Sequence, residues 1–366
     1  MDSVAIDTHA SRQILDASEL QSLEPDTVLQ RSLTVTSAVI TASSYATQYQ
    51  YMKHLVGRRN YHEIGTGLQG IVYEQLDKMY VTKKELLTNQ GRSLSDEFVL
   101  HQIVSEAFGR YRQYSNDVRV PQPYDFIPKH ILSSYSLGQL PESDRHRSDI
   151  ATMERILPLP KVVRRAMIQK FYPDKNGACD EHLVAQLLCK RENKHCLARI
   201  YLGKGTIAMA KESFTLRNFP LTLDIMSDLG LDMVRFATMI GSAYAIMHWA
   251  ANVTGDDVEF VLGTSTAAYS STQDRAVHMY LLDFGQCERV FMHDDKEDIF
   301  QAFKGSMVLQ QNQIYLPHPK RTTTTYQAWK SAYLSTAREI IHRDSLPFDP
   351  EEFIKEYEEY LEDFDP

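Results

Sequence analysis

Leu281-Leu282-Asp283-Phe284-Gly285 is the stretch on which the fold turns. It closes the apolar run MYLLDFG, which reads as a strand whose leucines are buried and whose Asp emerges at the end beside a flexible Gly. Upstream, VEFVLG reads as a second short strand, joined to the first by the polar loop TSTAAYSSTQDR. Before it, Leu231 to Trp249 is apolar almost all round, the pattern of a buried central helix. Much earlier, YHEIGTGLQGIVYEQ and MYVTKK read as strand, turn and strand. Gly65, Gly67 and Gly70 let that hairpin lie close over a ligand and aim backbone N–H groups at it. Lys83 and its neighbour Lys84 end the next strand, and Glu97 follows in LSDEFVLHQIVSEAFGR, whose apolar residues fall at helical spacing. Taken singly, each feature has an ordinary reading: a permissive hairpin, solvated lysines, a surface glutamate, a strand ending in a turn.

In this order the three features resemble the protein-kinase-like fold, over roughly residues 60–290. The resemblance implies an α+β, two-lobe chain with a small β-rich N-lobe and a larger, mostly helical C-lobe. The divisions are an N-terminal extension at 1–60, the β-rich lobe with one long helix at 61–157, and the helical lobe with a small hairpin and an acidic terminal helix at 158–366. MERILPLP then takes the place of the hinge, and Leu231–Trp249 that of the central helix. Lys83 and Glu97 would hold phosphates, and Asp283 would hold Mg²⁺.

A departure follows where phosphoryl transfer belongs. Asn252-Val253-Thr254-Gly255-Asp256-Asp257-Val258-Glu259 offers an Asp, with no Asn after it at a distance suited to a second metal. Asp256, Asp257 and Glu259 put three carboxylates into four positions. Such crowding raises their pKa values unless a cation sits among them, whether Mg²⁺, a substrate ammonium or a guanidinium. An ordinary acidic turn is the other reading.

ERILPLP, CLARIYLGK, FTLRNFPL, MHWAANVTGDDVEFVLG and LLDFGQC together resemble a fungal family long carried under a "zinc finger protein" label, which includes arginine-containing cyclodipeptide synthases. The likeness spans most of 60–340 and is most specific around DDVEFVLG. It implies an enzyme that takes arginyl-tRNA and a second aminoacyl-tRNA and joins their amino acids into a 2,5-diketopiperazine. The acidic motif would be needed for activity. The ester is already activated, so neither ATP nor another cofactor is required. One carboxylate handles the proton of the attacking amine and another grips a guanidinium, the roles staying open among Asp256, Asp257 and Glu259. His248, just upstream, reads as a proton relay or as a satisfied core histidine.

A tRNA partner calls for cationic surface. Lys161, Arg164, Arg165 and Lys170 lie at helical spacing, and Lys190, Arg191 and Lys194 form a second cluster; both read equally as solvated faces. From Lys161 to Lys204 there are ten Lys and Arg against four Asp and Glu. The formal charge of −9 comes mostly from 349–366, where nine acidic residues face one Lys. Two other function classes stay open: an ATP-dependent small-molecule phosphotransferase, and a kinase-like scaffold whose acidic terminal helix suits a basic partner. Nothing in the chain points to DNA.

Composition narrows the class further. With 366 residues, 43% hydrophobic and 24% charged, the chain supports a sizeable core. No apolar run approaches the roughly 18 residues of a membrane span, and the N-terminus reads as no signal peptide. Four cysteines suit a reducing, cytoplasmic setting. Cys179, His182, Cys189, His195, Cys196 and Cys287 show no zinc-ligand spacing, so no metal is expected of them. Oligomeric state is not legible.

Overall fold

The computed structural model describes residues 12–40 and 61–363, apart from 76–77, 89–91, 116, 134–136, 174–179, 208, 267–273 and 310–311. Expectations placed on 41–60, Cys179 and the middle of the 264–275 loop lie outside the described residues.

The Gly-rich hairpin forms as its pattern predicts. Strands His62–Thr66 and Gly70–Glu74 pair antiparallel across a turn closed by the Gly67 N–H on the Gly70 carbonyl at 2.9 Å. With Gln13–Asp16 as β1 and Ser37–Ile40 as β2, these are β3 and β4. Tyr80–Glu85 (β5), Pro123–Ile127 (β7) and Ile150–Glu154 (β8) complete an antiparallel sheet ordered β3-β4-β5-β8-β7, β6 being the two-residue Val118–Arg119. Helix α1, Leu94–Arg110, packs against β7 and β8. Ser93 caps it, its Oγ accepting from Asp96 N at 3.1 Å, and Asp96 and Glu97 set negative charge at its N-terminus. Small apolar clusters around Tyr73 and Ile150, and around Leu94 and Phe98, belong to this part.

A second sheet is ordered β1-β2-β12-β11-β9-β10, with β6 beside β12. Ala198–Ile200 is β9, Phe219–Leu221 β10, Glu259–Thr266 β11 and Asp274–Leu282 β12. The β11–β12 hairpin is the one expected from VEFVLG and MYLLDFG. The early residues pack on the main fold: β2 pairs with β12, and Leu15, Val28, Leu29 and Val39 sit in the main core. Residues 13–40 are thus part of the main body. A four-residue strand whose partner lies over 200 positions away leaves no local signal.

The architecture is α+β. Helix α2 is Lys161–Phe171 and α3 is Met233–Ile246, the latter almost wholly buried and continued by a π-turn over Met247–Ala251. Helices Lys296–Val308 (α4), Thr323–Asp344 (α5) and Pro350–Asp363 (α6) follow. Phe353, Tyr357 and Leu361 of α6 are buried. Part of its acidic face is paired within the protein. Lys296 pairs with Glu352, Lys304 with Glu356 and Lys330 with Glu358, each at 2.7 Å, and Arg338 reaches Glu351. Each such pair contributes little, but together they fix which way the acidic face points. No helix among the described residues is long and apolar enough to cross a membrane.

His248 lies in the aromatic core between these helices. Its ring is fully buried and stacks on Phe303 with centroids 4.2 Å apart. The Tyr333 hydroxyl accepts from Trp249 Nε1 at 2.9 Å, leaving its own proton for His248 Nδ1, also at 2.9 Å. Burial pushes the ring's pKa down to about 3, so it stays neutral. Tyr333→Phe should leave two buried nitrogens unpaired and destabilise the protein by about 1–3 kcal/mol. Urea denaturation checks this through a lower midpoint at unchanged slope.

Candidate functional site

Four elements converge on the Asp283 turn. Strand β5 delivers Lys83 and the first turn of α1 delivers Glu97. Lys83 Nζ donates to both Glu97 oxygens, at 2.6 and 2.8 Å, and lies 3.7 Å from Asp283 Oδ1. Burial opposes the lysine's charge, but Asp283 and then Glu97 outweigh it and hold the ammonium protonated. Of the two candidate lysines, Lys83 is therefore the one engaged. Lys84 donates instead to Ser148 Oγ, and burial pushes its pKa down to about 8.

Asp283 follows β12 in the left-handed region, at φ 68°, a conformation Asp tolerates better than most residues. Phe284 turns inward and packs at a tilt against His101 of α1, ring centroids 5.2 Å apart, while His101 Nε2 donates to the Pro121 carbonyl at 2.6 Å. Gln69, at the tip of the Gly-rich hairpin, is buried and donates to the Gly285 carbonyl at 2.5 Å. A Cβ on Gly285 would lie 1.7 Å from Gln69 Oε1, so only glycine admits this contact. The hairpin thus closes onto the Asp283 turn through a side chain. Gly65 and Gly67 meet nothing at that range, and Gly70 gives way to the Lys84 carbonyl.

The acidic turn precedes β11. The Gly255 carbonyl accepts from Asn312 Nδ2 at 2.6 Å, and a Cβ at Gly255 would stand 2.4 Å from the Tyr244 ring. The pinned turn then separates the neighbouring aspartates. Asp256 Oδ2 accepts from Thr254 Oγ1 at 2.7 Å, and its backbone carbonyl meets Cys287 Sγ at 3.4 Å. Asp257 adopts φ 55°, and its carboxylate has no hydrogen-bond partner among the described residues. Glu259 opens β11 directly across from Leu282, which places it beside Asp283. Val261 faces Arg199 of β9 in register, so Arg199 lies diagonal to Glu259 on the same face. Its Nη2 meets Glu259 Oε1 at 2.5 Å.

Burial raises the pKa of all three acids. For Asp257, Asp283 adds to the effect. For Glu259, burial outweighs the opposing Arg199 and, with Asp283 and Asp257, lifts the carboxyl to about 7. Asp256 is raised by burial against its Thr254 hydrogen bond. Four carboxylates (Glu97, Asp257, Glu259, Asp283) thus surround two protein cations, leaving two negative charges in excess when all are ionised.

The structure brings together Lys83, Glu97 and Asp283 with Asp257 and Glu259, two groups that the sequence offered separately, while Asp256 turns to Thr254 and His248 lies in the aromatic core. Sequence reasoning did not find Arg199 or Gln69. The signal for Arg199 was present: a single charge between the buried Ala198 and Ile200 of a short strand. Asp283, the residue that the alternative reading gives to Mg²⁺, faces Lys83 Nζ through Oδ1 at 3.7 Å and keeps 39% of its side chain exposed. Among the described residues no three His, Cys, Asp or Glu side chains gather as metal ligands.

The cationic patch is thinner than the sequence suggests. Arg164 is spent on the Leu159 and Asn193 carbonyls, at 3.0 and 2.9 Å. Arg165 pairs with Glu181 and Lys170 with Asp26, both at 2.7 Å, while Arg191 donates to the Glu63 carbonyl. Lys161, Lys190 and Lys194 are exposed. No protein-family model matches the chain, and no curated protein matches it significantly.

The pH dependence of stability follows from Glu259. Its folded-state pKa is raised, so its contribution is full below the ordinary value of 4.5 and is lost as pH rises through about 7. Glu259→Gln removes that titration. Its melting temperature, relative to the unmodified protein, should therefore climb between pH 5 and pH 8. A difference that stays flat across this window in differential scanning calorimetry would contradict the placement of Glu259.

Proposed function

We propose that this chain is a tRNA-dependent cyclodipeptide synthase on a kinase-like, two-lobe frame, joining arginine and a second amino acid into a 2,5-diketopiperazine. One observation carries the reading: Asp257, Glu259 and Asp283 share a partly buried place with excess negative charge, and Glu259 sits near neutrality. That is the environment a cationic, amine-bearing substrate needs. The Lys83–Glu97–Asp283 arrangement supports the kinase-like frame.

In the reaction, the α-amine nitrogen of one aminoacyl group attacks the ester carbonyl carbon of the other. A C–N bond forms and the C–O bond to the terminal ribose breaks. Glu259 takes the amine proton and returns it to the departing ribose oxygen, which a carboxyl titrating near 7 does in both directions. The second amine then closes the ring on the remaining ester, with the same proton path, releasing the second tRNA. Both esters are already activated, so no nucleotide is consumed. Exposed Lys161, Lys190 and Lys194 supply phosphate contacts that carry no sequence information.

The Lys83–Glu97 pair also favours a second reading, an ATP-dependent small-molecule phosphotransferase. The crowded carboxylates and the lack of an Asn after Asp256 at a distance suited to a second metal weigh against it. A thermal shift produced by ATP with Mg²⁺, in a protein that makes no cyclic dipeptide, would select this second reading.

Expression in a host without the pathway, followed by mass spectrometry of the culture, should reveal an arginine-bearing cyclic dipeptide. Glu259→Gln should cut its yield by about 10²-fold or more, and undiminished yield would remove Glu259 from the chemistry. Lys190→Glu combined with Lys194→Glu should weaken tRNA use and flatten its dependence on salt. Kinetics unchanged across a salt series would exclude those lysines as phosphate contacts.

A further inference from the structure

Glu259 and Asp257 are two positions apart, yet they meet different surroundings. The Glu259 side chain is 12% exposed, and an Arg199 guanidinium nitrogen lies 2.5 Å from its Oε1. Lys83 and Tyr315 bear on it from other elements, and Asp283 and Asp257 face it as like charges. Tyr201 hydrogen-bonds Arg199 and packs edge-on against Tyr315 at 5.1 Å, so the guanidinium is held from behind. Asp257, by contrast, carries no hydrogen bond among the described residues, and Asp283 beside it keeps 39% of its side chain exposed.

A second guanidinium brought to Glu259 would be set against Arg199, whereas the neutral α-amine that Glu259 serves would not. Two cations in a partly buried site repel strongly. The same cation brought to Asp257 meets a carboxylate with free acceptors and Asp283 close by. We propose that Arg199 is a positioning residue, which holds Glu259 for proton transfer and so leaves Asp257, supported by Asp283, to receive the cationic side chain of the substrate. The division of labour rests on the synthase reading above. It goes further by assigning specificity for the cationic amino acid to Asp257 and the proton to Glu259.

The arrangement makes Arg199 more than a structural tie. A tie would affect stability alone. Arg199 also sets the proton affinity of Glu259, because its charge favours the ionised form. Withdrawing that charge moves Glu259 toward its protonated form, in which it cannot accept a proton from the amine.

The test uses the full chain and the variants Arg199→Met, Arg199→Lys and Asp257→Asn, with folding checked by thermal melts. Carbon-13 NMR of labelled Glu side chains, assigned through Glu259→Gln, follows the Glu259 titration without needing turnover. Arg199→Met should move its midpoint upward by about 1–3 pH units, and Arg199→Lys should restore most of the shift. With arginyl-tRNA, Arg199→Met should lower kcat, move the acid limb of the rate profile to higher pH and leave KM nearly unchanged. Asp257→Asn should raise KM for arginyl-tRNA and weaken the preference for arginine over uncharged amino acids. An unmoved Glu259 midpoint in Arg199→Met overturns the proposal, as does a rise in KM matching that of Asp257→Asn. If Arg199→Met does not fold, Arg199→Gln takes its place in the same titration, with the same upward shift expected and an unmoved midpoint again overturning the proposal. A parent protein that makes no cyclic dipeptide overturns the synthase reading, while the titration still decides the role of Arg199.

Discussion

A single buried ammonium holds the candidate site together. Lys83 Nζ donates to both oxygens of Glu97 and faces Asp283 at 3.7 Å, so one charge ties strand β5, helix α1 and the turn after β12. A charge this buried is costly unless paired, and removing either partner would leave the other uncompensated. The ion cluster therefore fixes how the five-stranded sheet and its helix meet the hairpin that carries the acids. Gln69 reinforces this from the Gly-rich hairpin by reaching the Gly285 carbonyl.

Around that tie, the carboxylates are sorted by what each already holds. Glu97 belongs to Lys83, Asp256 to Thr254 and Glu259 to Arg199, while Asp257 has no such bond. The sorting depends on backbone geometry more than on side-chain chemistry. Gly255 lies too close to Tyr244 for any larger residue, and Asp257 and Asp283 both take positive φ. These constraints send two neighbouring aspartates to different tasks.

Charge runs proved poor guides to the surface. The acidic terminal helix is docked through lysines and an arginine of α4 and α5. Several cations of the 161–194 segment pair with surface acids or donate to backbone carbonyls of the same protein. Some of these partners are carbonyls or lie within the same stretch, as Leu159 and Asn193 do for Arg164 and Glu181 for Arg165, and others come from afar, as Asp26 does for Lys170, so a count of charges shows neither kind of pairing.

The local elements were legible because their signals are local. Helical spacing and the Ser93 cap define Leu94–Arg110, glycines mark the hairpin, and apolar runs mark β11 and β12. Crowding of Asp256, Asp257 and Glu259 could also be read directly, since it is a matter of spacing along the chain. Tertiary structure alone decided the rest: which lysine of Lys83 and Lys84 turns toward Glu97, that Arg199 lands on Glu259, that His248 is sealed among aromatic rings, and that residues 13–40 join the main sheet. Those outcomes depend on strand register and on contacts between segments far apart in sequence. A shift of one residue in pairing would reverse the face each side chain occupies, and no single segment carries that information.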